Sequence, residues 1–280
     1  MVALFQQLIQ TGVDYVTATT TTTNGRERFD FWGRKWLAEE LGSGNECREW
    51  SGHGFSGLAS GSVQYGRNGN TSLVRVSGGD ADNKARQLIA EATNVSRIDF
   101  ESTVRLNRED NQLATRFERR AQQHKGKHTR AFEVELRRND VRGQTLYLGR
   151  RQSERLIRVY NKYAESKHPF YERCWRAEVQ YGGRLAFLRA KQWLDHPADA
   201  IFCHKAVYLE MERRGVPWLK LDERSRLVLK GVPVKRPTTD ERSLLWLEQQ
   251  VRPTVERLMD HDKTADVLRV LGLYNRKGGP

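Results

Sequence analysis

The sequence predicts an α+β fold, and three observations carry that expectation. Stretches of alternating apolar and polar residues crowd positions 130–182, the pattern of half-buried strands. Helix-period stretches alternate with strand-like ones before that point. Beyond about residue 190 the pattern turns helical. The division expected is a mixed α and β domain over residues 1–190 and a helical C-terminal region over 191–280.

The elements follow in order. Asp14–Thr17 is strand-like, and the β-branched run Thr19–Thr23 can continue that strand. Residues 28–41 place Phe29, Trp32, Trp36, Leu37 and Leu41 at helical spacing before a Gly-rich stretch. Ser62–Arg67 and Thr71–Ser77 read as strands joined by Asn68-Gly69-Asn70, a hairpin signal. A helix fits 80–93, a strand Ser96–Val104, and a second helix about 107–123. Four strands are then expected, at Arg130–Arg137, Gln144–Gly149, Arg155–Lys162 and Arg173–Tyr181. A capping-box pattern, Thr238 with Glu241, opens a helix through Leu244, Leu247, Val251 and Val255 that Pro253 would kink.

Composition narrows the partners. Lys and Arg outnumber Asp and Glu by 48 to 35, a net charge of +13, which favours a polyanion and nucleic acid first among them. Seven Trp, nine Tyr and ten Phe argue for an ordered chain. No apolar run approaches a membrane span and no secretory leader is evident, so a soluble, cytoplasmic protein is expected. Cys47, Cys174 and Cys203 form no CxxC and read as free thiols; the histidines form no zinc motif. Gly52–Gly57 spells GxGxxG, yet no strand is expected before it and a hairpin follows where a nucleotide fold needs a helix. No phosphate-binding loop of the GxxxxGK[ST] type occurs, so nothing points to ATP hydrolysis.

Strand alternation sorts the chemistry-bearing residues by face, because residues two apart point the same way. Ile157 and Val159 go to one face; Arg158, Tyr160 and Lys162 to the other. Ile98 and Phe100 oppose Arg97, Asp99 and Glu101; Trp175, Ala177 and Val179 oppose Arg176, Glu178 and Gln180. The plainer account is an ordinary solvated sheet face. The functional account is a carboxylate cluster holding a hard divalent cation, Mg²⁺ or Mn²⁺, beside a tyrosine nucleophile. Arg158 and Lys162 would then favour the phenolate of Tyr160. Tyr147 lies between Leu146 and Leu148 and is expected to serve the sheet; Tyr163 is out of phase. Arg150 and Arg151, in the turn between two strands, suit a DNA backbone, with Arg97, Arg176 and the basic run 116–130 as further candidate contacts.

Thr145–Ser153, then Arg158-Val-Tyr-Asn-Lys162, then Trp175-Arg-Ala-Glu178 resembles the Rep_trans (replication initiation factor) family. That family includes plasmid rolling-circle initiators, filamentous-phage replication proteins and some conjugative-element relaxases. Ser96–Asp99 resembles its earlier acidic strand, and Trp246–Pro253 is similar to a C-terminal helix of phage-type relatives. The resemblance implies a fold related to the HUH nucleases, a central antiparallel sheet with flanking helices and carboxylates in place of the histidine pair. It implies Tyr160 as nucleophile, Arg158 and Lys162 as its flanking cations, and Asp99 and Glu178 as metal positions. Glu101 joins them from strand geometry alone. Gln180 stands where relatives often carry a second acid.

The function expected is a rolling-circle initiator that nicks one DNA strand, keeps the 5′ end on Tyr160, frees a 3′-hydroxyl and can rejoin the strand. The 5′ polarity and a host helicase partner come from the resemblance; a homodimer is also compatible. Two alternatives stay open: a relaxase acting at a transfer origin, and a non-catalytic DNA-binding regulator, against which the intact Arg158, Tyr160, Lys162, Asp99 and Glu178 argue.

Overall fold

The computed structural model describes residues 5–78, 81–125, 132–139, 143–196 and 201–220, with Val255. The chain divides into two compact units, Met1–Leu229 and Lys230–Pro280, and all but one of the described residues belong to the first. The helix expected from Thr238 lies outside the described residues apart from Val255.

The elements run β1 (Phe5–Thr20), α1 (Thr23–Gly42), β2 (Cys47–Gly52), β3 (Phe55–Ser60), β4 (Val63–Asn68), β5 (Thr71–Ser77), α2 (Ala81–Glu91), β6 (Asn94–Leu106), α3 (Leu113–Lys125), β7 (Val134–Asn139), β8 (Gly143–Leu148), β9 (Arg155–Asn161), α4 (Lys162–Ser166), β10 (Cys174–Gly182), α5 (Gly183–Leu194) and α6 (Phe202–Glu212). The strands form one sheet, in the order β2-β3-β4-β5-β1-β6-β10-β9-β8-β7, and every neighbouring pair is antiparallel. The α+β expectation with a central antiparallel sheet therefore holds. Among the described residues no helix is long and apolar enough to cross a membrane. None of the three cysteines forms a disulfide.

The two-residue period of a strand gives the sheet one apolar face. Val16, Ile98, Phe100, Val104, Val179, Ala177, Trp175, Ile157, Val159, Leu146 and Leu148 are buried there, in register across five strands. Helices cover this face. Phe202 of α6 meets Phe100 edge-on at 5.7 Å, and Phe117 of α3 meets Trp218 at 6.3 Å. Gly33 of α1 lies against Tyr65, where a Cβ would come within 2.6 Å of the ring.

One polar knot ties the end of the first unit to the central strand. Trp218 Nε1 donates to Ser102 Oγ at 2.9 Å, and Ser102 Oγ shares a 2.8 Å bond with His204 Nδ1. Nε2 of His204 lies 3.0 Å from the Leu219 carbonyl, and burial holds the imidazole at a pKa of about 4. The neutral ring donates from Nε2 and accepts from Ser102, so every member is satisfied. This Ser–His contact sits beneath the helices and is structural.

The structure differs from the sequence expectations at several boundaries. The strand ends at Thr20, and Thr22 instead caps α1 by accepting from Gly25 N at 3.2 Å. Cys47–Gly52 is itself a strand, so the GxGxxG segment closes the β2–β3 hairpin and no helix follows it. The helix expected from 107 starts at Leu113. Lys162 opens α4, because Asn161 caps that helix by accepting from Ala164 N at 2.9 Å.

Replacing Ser102 with Ala should leave the buried Trp218 N–H and His204 Nδ1 without partners. Chemical denaturation should show a loss of about 2 kcal/mol; an unchanged midpoint would mean the knot carries no net stability.

Candidate functional site

The face opposite the helices is charged, and register assembles it. Tyr147 of β8, Arg158 of β9, Glu178 of β10 and Glu101 of β6 form one cross-strand row. Thr145, Tyr160, Arg176 and Thr103 form the next. Asp99 pairs with Gln180 on one side and Tyr15 on the other. The three strands expected to present charged rows therefore stand side by side, in the order β6, β10, β9.

The cluster is not a solvated surface. Asp99, Glu101, Arg176 and Glu178 are each at most 4% exposed. Arg97 clamps Asp99 with two bonds, Nε to Oδ1 at 2.9 Å and Nη2 to Oδ2 at 2.5 Å. Arg158 pairs with Glu178 and reaches Asp99 at 3.7 Å. Arg176 pairs with Glu101, donates to Thr103 Oγ1 at 2.8 Å and to Gln10 Oε1 at 3.1 Å, and lies 3.6 Å from Asp14. Tyr160 is half-buried and donates its hydroxyl to Glu178 Oε1 at 2.5 Å.

Two expectations change here. Arg176 was a candidate DNA contact, but it is buried and its donors go to Glu101, Thr103 and Gln10; it holds the carboxylates in place. Arg158 and Lys162 were expected to favour the phenolate. Burial, and after it the Glu178 carboxylate, push Tyr160 well above the ordinary phenol range, so the hydroxyl stays protonated. Arg158 spends its charge on Glu178 and Asp99, and Lys162 donates to Glu165 at 2.7 Å, with Nζ 5.9 Å from the Tyr160 ring centre. Arg150 and Arg151 do lie in the β8–β9 turn and are exposed; Arg150 pairs with Glu133 at 2.8 Å.

The structure also adds residues. A β-bulge in β1 between Val13 and Tyr15 brings Asp14 to the cluster while Tyr15 stays opposite Asp99. Gln10 donates to Glu101 Oε1 at 2.8 Å and accepts from Tyr171 at 3.0 Å. An acid inside a β-branched strand was the visible signal for Asp14. The bulge that aims it was not visible.

The donor set suits a hard divalent cation. Asp14, Asp99, Glu101 and Glu178 bring four carboxylates against the guanidiniums of Arg97, Arg158 and Arg176. Buried Oε2 atoms of Glu101 and Glu178 abut arginines without an aligned hydrogen bond. Burial raises Asp99, and raises Asp14 to about 6 with Glu178 adding repulsion. Burial raises Glu101 to about 7 against the pull of Arg176. Each shift records a negative charge short of compensation, which a proton or a cation would supply. Among the described residues no three Asp, Glu, His or Cys groups stand ready-made as a ligand set, so side chains would have to turn from arginine to metal.

These shifts fix a pH dependence. The folded chain keeps protons on Glu101 and Asp14 that the unfolded chain releases near 4.5 and 3.8. Their contribution to stability is full below about pH 4 and is lost as pH rises through 6 to 7. Glu101→Gln should remove most of its share of that loss, on the order of 3 kcal/mol. Urea unfolding of parent and variant across pH 4 to 8 checks it, and parallel pH profiles would refute it.

A family model described as replication initiation factor matches residues 98–271, more than half of the chain and every strand from β7 to β10. No curated protein matches. A solved rolling circle replication initiator protein from Geobacillus stearothermophilus is similar at 15% identity and a TM-score of 0.44, over 68% of this chain and 80% of that one. With the family model spanning the tyrosine strand and two of the carboxylate strands, the chain belongs to the replication initiation factor family.

Proposed function

We propose that the chain initiates replication by nicking one DNA strand through Tyr160. The observation that carries this reading is the 2.5 Å bond from the Tyr160 hydroxyl to Glu178, set among arginines on the charged face of the sheet. A neutral phenol is a poor nucleophile, and its raised pKa makes a free phenolate costly at neutral pH. Attack therefore needs the proton removed as the bond forms, and Glu178 is within reach to take it.

The step balances. The phenol proton passes to Glu178, the Tyr160 oxygen bonds to phosphorus, and the bond from phosphorus to the 3′-oxygen breaks. That oxygen takes up a proton. The products are a 3′-hydroxyl and a 5′-phosphotyrosine, the polarity that the family resemblance implies. Running the same steps backwards rejoins the strand, and one phosphodiester is exchanged for another without a nucleotide cofactor. Arg158 stands beside Glu178, placed to offset charge building on the phosphoryl oxygens. Asp99, Glu178 and Glu101, with Asp14, would hold Mg²⁺ or Mn²⁺, whose charge would polarise the phosphodiester. Lys162 and Arg97 add positive charge at the rim, Arg97 with a side chain about one-third exposed. A host helicase to open the duplex and a second copy of the chain are partners that the family resemblance allows.

Tyr160→Phe should abolish nicking and the covalent protein–DNA adduct while DNA binding survives, since only the attacking oxygen is lost. Glu178→Gln should slow adduct formation by about 10²-fold or more. A chelator should stop cleavage by the parent, and Mg²⁺ should raise its melting temperature at pH 7.5. Mapping nicks on supercoiled DNA carrying candidate origins reads cleavage, a denaturing gel reads the adduct, a gel shift reads binding, and thermal unfolding reads the effect of Mg²⁺. An adduct that persists in Tyr160→Phe would end the assignment.

The exposed turn arginines give a separate test. Replacing Arg150 and Arg151 together by Ala should weaken specific and nonspecific DNA alike and flatten the salt dependence by about two counterions. Origin preference should survive, because phosphate contacts position the strand without reading it. Lost preference with an unchanged salt slope would mean that these arginines read bases.

A further inference from the structure

The charged face does not stop at the carboxylates. On β8, the half-buried ring of Tyr147 has the guanidinium of Arg137 at 5.3 Å and that of Arg151 at 5.5 Å from its centre. On β1, the ring of Tyr15 has Arg97 at 4.0 Å and Arg75 at 5.7 Å. Both tyrosines belong to the charged side by register: Tyr147 opposes Arg158 of β9, and Tyr15 opposes Asp99 of β6. The strand order from one ring to the other is β1-β6-β10-β9-β8, so Glu178 on β10 stands midway. At about 4.8 Å per strand, each ring lies roughly 10 Å from the centre, a reach of a nucleotide or two.

A tyrosine among arginines offers two things that a nucleic-acid strand uses at once, a π-face for a base and cations for the flanking phosphates. The apolar core needs neither ring, since both lie on the face opposite the buried row. The arginines around Tyr147 keep much of their surface: the side chain of Arg137 is half exposed, and Arg151 is exposed.

We propose that Tyr147 and Tyr15 are base-stacking subsites for single-stranded DNA, one on each side of the scissile phosphate, with the half-exposed Arg137 and the exposed Arg151 as phosphate contacts beside Tyr147. The inference rests on the nicking reading above and deepens it. Two stacked bases would fix the intervening phosphate over Tyr160 and Glu178, and they would do so whatever the bases are, because every base has a π-face. Stacking would thus position the strand, leaving origin choice to other contacts.

The test compares a short oligothymidylate with an abasic strand of the same length, which keeps the phosphates and lacks the bases. Full-length Tyr147→Leu and Tyr15→Leu should each bind oligothymidylate about tenfold or more weakly and bind the abasic strand like the parent. Tyr147→Phe and Tyr15→Phe should bind both strands like the parent. Equal loss on both strands would signal a structural role and overturn the proposal, as would no loss from Leu. Loss from Phe as large as from Leu would assign the hydroxyls and not the rings, which also overturns it. The Tyr160 adduct, assayed on the same proteins, separates the two ideas. Stacking without an adduct in the parent sinks the nicking reading, and an adduct with Leu variants that bind normally sinks this one.

Discussion

The register of β6 against β10 and of β10 against β9 is the constraint on which the site depends. It sets Glu101, Glu178 and Arg158 in one row and Thr103, Arg176 and Tyr160 in the next. A slip of β10 by one residue would send Glu178 and Arg176 to the helix-covered face and bring Val179 out to the charged one. Each apolar side chain buried on the far face stabilises the sheet by about 1.5–3 kcal/mol, so the slip is strongly disfavoured. The chemistry on one face is therefore held in place by packing on the other. The same alternation that builds the core aligns the carboxylates.

Burying so many charges works against folding unless they compensate one another. Desolvation costs several kcal/mol per ion even after relaxation, and paired geometry recovers it only when the remaining polar atoms are also satisfied. Here recovery is incomplete. Asp99 is raised even with a two-pronged arginine, and Asp14 and Glu101 are raised as well. A purely structural ion-pair lattice would gain from removing that surplus, for example by a neutral residue at position 14 or 101. Keeping it leaves negative charge that a proton, or a cation once side chains turn from the arginines, would compensate, and perturbed carboxylates cluster at functional sites more than at structural ones. The +13 net charge of the chain acts at longer range and draws a polyanion toward this locally acidic centre.

Much of this was legible because strand period is a strong signal. Ile157 and Val159 against Arg158 and Tyr160, or Trp175 and Val179 against Arg176 and Glu178, sort by counting in twos, and the structure keeps that sorting. What counting cannot show is which strands become neighbours, so the depth of burial was missed. Glu178 and Arg176 read as a surface row and are nearly inaccessible. Counting also fails where the backbone departs from its period. The bulge at Val13–Tyr15 brings in Asp14, and the cap at Asn161 takes Lys162 off the strand. The β2–β3 hairpin escaped because its strands are Gly- and Ser-rich and mostly exposed, with little periodicity to read. The cationic neighbours of Tyr160 suggested a phenolate, but charge in sequence says nothing of partners, and both cations are engaged by carboxylates.

A protonated tyrosine suits a reaction that must run both ways. On the nicking reading proposed above, the phenol would lose its proton to Glu178 in the forward direction as its oxygen takes up phosphorus. In the reverse direction the tyrosine is the leaving group, and a high pKa makes it a poor one unless that proton is returned. A single carboxylate at hydrogen-bond distance would serve both directions, as microscopic reversibility requires. A site run on a free phenolate would attack readily but would also expel tyrosine readily, so the attached strand would not persist. On the same reading, burial of Tyr160 and the need for a proton from Glu178 would slow release of the attached strand. The burial that looks like a handicap for a nucleophile is what would let the 5′ end stay attached while a new strand is made.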